Sequence, residues 1–155
     1  MNVDAAREKD GLRSAVGCVA RNSNGRLTIA SAVPVGLLSS VESAESYAIR
    51  EGIKLAIEAG LEHVTIASDS KGVVAKINAQ DSGLNEDGSI IGEIQMLREK
   101  LRYCKVSYYS RNCNNVVHSI AKFSLTCSVP HIWNDSNELR WLQEAVMAYL
   151  LPAVA

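Results

Sequence analysis

No apolar run in the sequence approaches the ~20 residues that a helix needs to cross a bilayer. Asp4, Arg7, Glu8 and Lys9 stand where a cleavable leader would carry its apolar stretch. Both absences predict a soluble intracellular protein, nuclear or cytoplasmic. Clustered cysteines are missing as well. Cys18, Cys104, Cys113 and Cys127 are far apart and form no Cys-x-x-Cys, which predicts reduced thiols in or near the core rather than a zinc site. Nor is positive charge in excess: 16 Lys and Arg against 17 Asp and Glu give a net charge of −1. That balance argues against a strong grip on phosphate backbones and leaves room for a transient, metal-assisted contact. Repeats and low-complexity runs are absent too. What is present, 155 residues that are 47% hydrophobic and 21% charged, suits one compact domain with a real core.

Met1-Asn2-Val3-Asp4 is short for a strand, so the expectation is a first strand that begins upstream of Met1, with Asp4 in it or just after it. Ser14 to Ala20 and Leu27 to Val33 flank Asn22-Ser23-Asn24-Gly25, and Asn-Gly between two apolar-rich runs is a strong hairpin signal. Pro34 to Ser40 is a connection, with Ser39 and Glu42 spaced as a capping box. Gly60 is a suitable left-handed stop for the helix that follows, and His63 to Ser68 has the length and β-branching of a buried parallel strand. Val73, Val74 and Ile77 mark a short second helix, Ala79 to Gly88 a polar, acidic loop, and Ile90, Ile91, Ile94, Leu97 and Leu101 a third helix. Lys105 to Tyr109 is a fifth strand. Asn114 is the predicted N-cap of a helix that carries Val117, Ile120, Ala121 and Leu125 into the core. Residues 1–127 form the predicted domain. In the remaining tail, 128–155, Leu139, Leu142, Val146, Tyr149 and Leu150 fit an amphipathic helix that docks on the domain or meets a protein partner.

The helix from Glu42 to Ala59 sorts into rows at i,i+4 spacing. Ser46, Arg50, Lys54 and Glu58 make a polar row predicted to face water, and Ala44, Ala48, Gly52 and Ala56 a small-residue row suited to close packing. Glu45 heads a third row completed by Ile49, Ile53 and Ile57, so it points inward with them. Asp69 follows the His63 to Ser68 strand, and sites in open α/β sheets gather beyond the carboxyl ends of strands. A plainer role stands beside that one: Asp69 or Ser70 caps the next helix.

This order of elements gives an α/β fold with a five-stranded mixed sheet: the first three strands antiparallel, strands one, four and five parallel, helices flanking it and a helical tail. Strands one and four become neighbours, so Asp4, Glu45 and Asp69 converge. Two like unit charges ~4 Å apart cost about 4 kcal/mol at an effective dielectric near 20, so such a cluster is relieved by a proton or a hard cation. Oxygen ligands without cysteine or a histidine pair favour Mg²⁺ or Mn²⁺, and two such ions suit phosphodiester hydrolysis.

The ordered motifs Asn2-Val3-Asp4-Ala5-Ala6, Gly17 to Asn22 with Gly25, Ala44-Glu45-Ser46-Tyr47-Ala48, Ala67-Ser68-Asp69-Ser70, and Arg111 through Asn114 to His118-Ser119-Ile120-Ala121-Lys122 resemble the type 1 RNase H fold. Within it they resemble the plant reverse-transcriptase-like RNase H domains. The resemblance spans roughly Asn2 to Leu125. It implies an RNase H-like nuclease that holds two Mg²⁺ (or Mn²⁺) ions and cuts the RNA strand of RNA–DNA hybrids, leaving 3′-hydroxyl and 5′-phosphate ends. It implies Asp4, Glu45 and Asp69 as metal ligands and catalytic residues, with His118 at a fourth position that is often Asp. An imidazole there could ligate a metal or relay a proton, yet it adds no negative charge. Glu42, Ser43, Ser70, Arg111 and Asn114 are the implied nucleic-acid contacts, with Arg7, Lys9 and Arg13 as further phosphate candidates; His63 and His131 read as structural or exposed.

Two departures accompany the resemblance. The family often carries a histidine before the last helix, whereas Tyr108-Tyr109-Ser110-Arg111 has none, and the basic handle of some members is replaced by the acidic loop. Weak hybrid binding is expected. The competing expectation is a non-catalytic RNase H-like module that binds nucleic acid or protein, and either form fits within a larger retroelement-derived polypeptide.

Overall fold

The computed structural model of the chain describes residues 1–80 and 86–150. Strands β1 (Asn2–Arg7), β2 (Ser14–Arg21) and β3 (Leu27–Gly36) form an antiparallel meander. β4 (His63–Ser68) lies parallel to β1, and β5 (Tyr103–Tyr108) lies parallel to β4. The expected five strands become six, because β6 (His131–Trp133) in the tail pairs antiparallel with β3 and gives the order β5-β4-β1-β2-β3-β6. The β1 strand is also longer than expected. Ala5, Ala6 and Arg7 continue past Asp4 in register with Val16, Ala15 and Ser14, so Asp4 lies in the middle of a six-residue strand.

The two faces of the sheet carry separate cores. Helices α1 (Val41–Glu58), α2 (Lys71–Asn78) and α3 (Glu86–Arg98) pack Ile49, Ile53, Ile77 and Ile94 against Val3, Val16, Cys18 and Ile66. Helices α4 (Asn115–Ser124) and α5 (Ser136–Leu150) pack Val117, Ile120, Leu139 and Leu142 against Val19, Ala30, Ala32 and Trp133. Cys18 and Val19, adjacent in β2, belong to different cores, as the period of two in a strand requires. The tail is therefore joined to the sheet by β6 and by two buried leucines of α5. The side chains of Val146, Tyr149 and Leu150 and the loop stretch 81–85 lie outside the described residues. The four cysteines are free, and among the described residues no helix is long and apolar enough to cross a membrane.

The rows of α1 are partly as expected. Ala44, Ala48, Gly52 and Ala56 are all buried, and a Cβ on Gly52 would come 2.6 Å from Val3 Cγ1, so the missing methyl lets α1 press on β1. The polar row does not face water throughout. Ser46 is buried, and Arg50 is bound through its Nε and Nη2 to the carboxylate of Glu93 on α3. The helix that crosses α1 here is not signalled by the α1 sequence, so hydration of that row could not be read locally. Ser40 rather than Ser39 is the N-cap, accepting from Ser43 N–H at 2.9 Å, while Glu42 pairs with Lys76 instead of closing a capping box. At the other end Gly60 has φ +71°, and the bonds Leu61 N–H to Ala56 O and Gly60 N–H to Ile57 O form the two closures of a Schellman stop. The last three residues of the expected acidic loop, Glu86 to Gly88, belong to α3.

Candidate active site

The parallel pairing of β1 with β4 sets Asn2 opposite Ala67, so two residues further along, Asp4 and Asp69 stand level at the ends of neighbouring strands. Glu45 reaches them from the first turns of α1, at the head of the row buried against the sheet. One carboxylate oxygen from each of Asp4, Glu45 and Asp69 lies within 4.8 Å of the others. Capping does not account for Asp69. The N-cap of α2 is Ser70, whose hydroxyl makes no cap bond, and Asp69 lies outside the helix.

Burial makes this cluster electrostatically expensive. Asp4 is 3% and Glu45 9% exposed. Burial first, and then the charges of Asp4 and Asp69, push the Glu45 carboxyl up to about 8. Asp4 is raised as well, chiefly by burial, with the hydrogen bond from His118 opposing the rise. Glu45 Oε2 is buried with no hydrogen-bond partner. Arg111, 74% exposed, brings its Nε to 3.8 Å from Asp69 Oδ2, too far for a hydrogen bond and too hydrated to neutralise three acids.

The protonation that relieves the cluster has a measurable consequence. Folding makes both Glu45 and Asp4 hold a proton more tightly, so the unfolded chain binds fewer protons than the folded one above the ordinary carboxylate range. Stability of the metal-free protein should fall as pH rises from about 4.5 to about 8. Thermal melts in EDTA across that window check the sign. Glu45→Gln should flatten the dependence, and a melting temperature that climbs with pH would contradict the assignment.

A family profile described as reverse transcriptase-like matches residues 2–124. The chain belongs to the reverse transcriptase-like family. No curated protein matches it. Among solved structures, RNase H1 of the halophilic archaeon Halobacterium salinarum superposes with a TM-score of 0.74 at 18% identity, covering 80% of this chain and 94% of that one. The N-terminal RNase H domain of a Mycobacterium tuberculosis protein gives 0.70 at 18% identity over 79% and 89% of the two chains. LC11-RNase H1, solved in complex with an RNA/DNA hybrid, gives 0.70 at 13% identity over 80% and 94%. This reverse transcriptase-like domain thus has the α/β RNase H-like fold, with its mixed sheet between helices.

The remaining candidates in the domain separate by burial. His118 lies outside the three-acid group, with its Nδ1 2.6 Å from Asp4 Oδ2. Asn114 is 1% exposed and its amide works inside the fold, donating to Val3 O at 3.2 Å and accepting from Asn2 Nδ2 at 2.6 Å. Ser43 is fully buried and donates to Asp87 Oδ1. Both side chains are thus engaged within the fold. Ser70 is partly exposed at the start of α2, and Glu42 is exposed and paired with Lys76. Arg7 donates to Leu38 O at 3.0 Å and Arg13 pairs with Glu8, while Lys9 is exposed in the turn after β1. The exposed rings of Tyr108 and Tyr109 were not among the sequence candidates. Tyr109 N–H donates to Ser68 O, which sets it beside Asp69.

Gly17 is the other residue whose part in the site went unread. A Cβ there would lie 2.7 Å from Ala121 N and 2.9 Å from Val117 O, so only glycine lets the α4 backbone close on β2 and bring His118 to Asp4. An isolated glycine inside a strand is the available signal for such an approach. Because the clash is with backbone, Gly17→Ala should cost about 1–3 kcal/mol of overpacking. A lowered urea midpoint checks this, and an unchanged one would mean that α4 shifts freely.

Proposed function

We propose that this reverse transcriptase-like domain is a divalent-cation-dependent endoribonuclease that hydrolyses the RNA strand of RNA–DNA hybrids. The observation that carries the reading is the convergence of Asp4, Glu45 and Asp69 within 4.8 Å, with Glu45 Oε2 buried and unpartnered. A structural cluster would satisfy that oxygen with a donor, and a cation site leaves it open. The donor set is all oxygen, which suits Mg²⁺ or Mn²⁺, held by Asp4, Glu45 and Asp69. When bound, such an ion supplies Lewis-acid polarisation of the phosphodiester and lowers the pKa of the attacking water.

The chain's own residues do the rest. The parallel β1–β4 pair and the buried face of α1 hold the three acids in place, so little reorganisation is needed when substrate enters. His118 holds the Asp4 carboxylate from one side. Ser70 and Glu42 stand at the starts of α2 and α1, where 2′-hydroxyls in a minor groove can be told from DNA, and exposed Arg111 is suited to a phosphate. Tyr108 and Tyr109 offer rings on which a sugar or base can stack. That LC11-RNase H1, of the same fold, was solved in complex with an RNA/DNA hybrid supports this substrate class.

One observation favours a second reading, a non-catalytic module that binds nucleic acid. His118 takes up one oxygen of Asp4 and returns no negative charge. The test offers labelled hybrid, duplex RNA, single-stranded RNA and duplex DNA with Mg²⁺, Mn²⁺ or EDTA. Cleavage confined to the RNA strand of the hybrid, lost in EDTA, is the expected result. Hybrid retention without cleavage would favour the binding module, and equal cleavage of single-stranded RNA would defeat the proposed specificity.

A further inference from the structure

The cations of this chain are not spread evenly. From Lys100 to Asn134 the sequence carries Lys100, Arg102, Lys105, Arg111 and Lys122 and no aspartate or glutamate, although acids outnumber bases by 17 to 16 in the whole chain. One stretch is thus basic and the rest of the protein acidic. The stretch runs from β5 at one edge of the sheet, through α4, to β6 at the other edge. Most of the chain's aromatic side chains fall in it too. Cations interleaved with aromatic rings are the composition of a surface that holds nucleic acid.

The stretch passes the three acids on its way. Tyr109 N–H donates to Ser68 O, Arg111 Nε lies 3.8 Å from Asp69 Oδ2, and His118 is bound to Asp4. Asn114, His118 and Lys122 form one i,i+4 row on α4, so Lys122 stands about 6 Å along the helix axis from His118. Lys122 is exposed, and its ammonium makes no ion pair among the described residues. Beside it Phe123, 43% exposed, packs against Trp133 with 6.2 Å between ring centroids. His131, exposed on β6, stacks on the same indole at 5.9 Å and 17°. Trp133 is buried and belongs to the second core, whereas Phe123 and His131 stand outside that core with their rings in solvent. β6 lies beyond residues 2–124, the span that the family profile matches, so His131 and its supporting indole come from the tail.

We propose, on the reading of this domain as one that acts on nucleic acid, that Lys122, Phe123 and His131 form a second subsite for an unpaired stretch of RNA continuing from the cleavage site. One lysine is too few to hold a duplex by its phosphates, and open rings need unpaired bases to stack on them. The occupant is therefore single-stranded. A base stacks on Phe123 or His131, and Lys122 meets the adjoining phosphate. At about 3.4 Å per stacked nucleotide, two steps span the rise from His118 to Lys122.

The experiment measures binding of the full chain to fluorescein-labelled hybrids by anisotropy, with Ca²⁺, whose looser coordination slows cleavage, in place of Mg²⁺. The probes are a blunt hybrid, the same hybrid with a single-stranded RNA extension at either end, and the extended hybrid with its extension made double-stranded. Wild type should bind a single-stranded extension about tenfold more tightly than the blunt hybrid, and the double-stranded one no more tightly. Phe123→Ala and His131→Ala should each remove most of that gain, and Lys122→Gln should lower its salt dependence by about one phosphate contact. All three variants should bind the blunt hybrid, and cleave it in Mg²⁺, as wild type does. Equal affinity for blunt and extended hybrids would overturn the inference, leave the hybrid reading standing and return the rings to a protein partner. A gain that survives both ring variants, or one equally large with the double-stranded extension, would overturn it as well, since stacking would not be its source. Binding of none of the probes would remove the nucleic-acid reading itself and the subsite with it. Should Phe123→Ala fail to fold, His131→Ala and Lys122→Gln, both at exposed positions, decide the point.

Discussion

Asp69→Asn should reduce cleavage of the RNA–DNA hybrid by ~100-fold or more, equivalent to about 2.7 kcal/mol or more of transition-state stabilisation, and leave the protein folded. Asp69 is the most exposed of the three acids, at 15%, and caps no helix, so the fold does not depend on its charge. Removing that charge relieves a repulsion of the order of 4 kcal/mol per close pair at an effective dielectric near 20. The melting temperature in EDTA should therefore hold or rise, and the Glu45 carboxyl should titrate below its present value of about 8. Divalent cations should raise the melting temperature of the wild type, since they bind only the folded cluster, and raise that of the variant much less. Cleavage equal in wild type and variant would trace the activity to a contaminant. An unfolded Asp69→Asn protein would restore the capping role that the geometry at Ser70 argues against.

Ile53→Ala should cost about 2–5 kcal/mol, the range for deleting a buried isoleucine and leaving a cavity behind. Ile53 is fully buried in the larger core, in the middle of the row that Glu45 heads, and α1 above it is clamped by α3. Collapse around the lost atoms is thus resisted from both sides. Against a total stability of about 5–15 kcal/mol for a domain of this kind, the loss is a large fraction. Urea melts with an unchanged slope and a lowered midpoint would register it. Ile57, in the same row but only half-buried, should lose less on the same change. Equal losses at the two positions would mean that the row is not graded in burial as α1 now lies.

These two variants separate the two jobs of one helix. The isoleucines of α1 fasten it to β1, and that fastening carries Glu45 to Asp4 and Asp69. Stability lost at Ile53 should leave activity per folded molecule near that of wild type. Activity lost at Asp69 should leave the midpoint in place. A domain used only for binding would obey the first expectation and show no activity to lose in the second.

Much of this molecule is written in local patterns. The isoleucine row of α1, the stop at Gly60, the hairpin at Asn22 to Gly25 and the apolar strand before Asp69 each announce themselves within a few residues, because helix and strand periods and left-handed turns are short-range properties. From them the neighbourhood of β1 and β4, and hence the meeting of three acids, follows by topology. Other features depend on what packs against a segment from elsewhere in the chain. Ser43 and Arg50 look like surface residues until Asp87 and Glu93 of α3 engage them, Asn114 is the N-cap of α4 as expected but makes no side-chain cap bond because β1 claims its amide, and β6 is too short to signal a strand before β3 offers it an edge. The Asp4–His118 bond joins residues 114 apart in sequence. Which oxygen of which acid is already engaged is a matter of Ångström-scale contact between distant elements, and residue order carries no such distances.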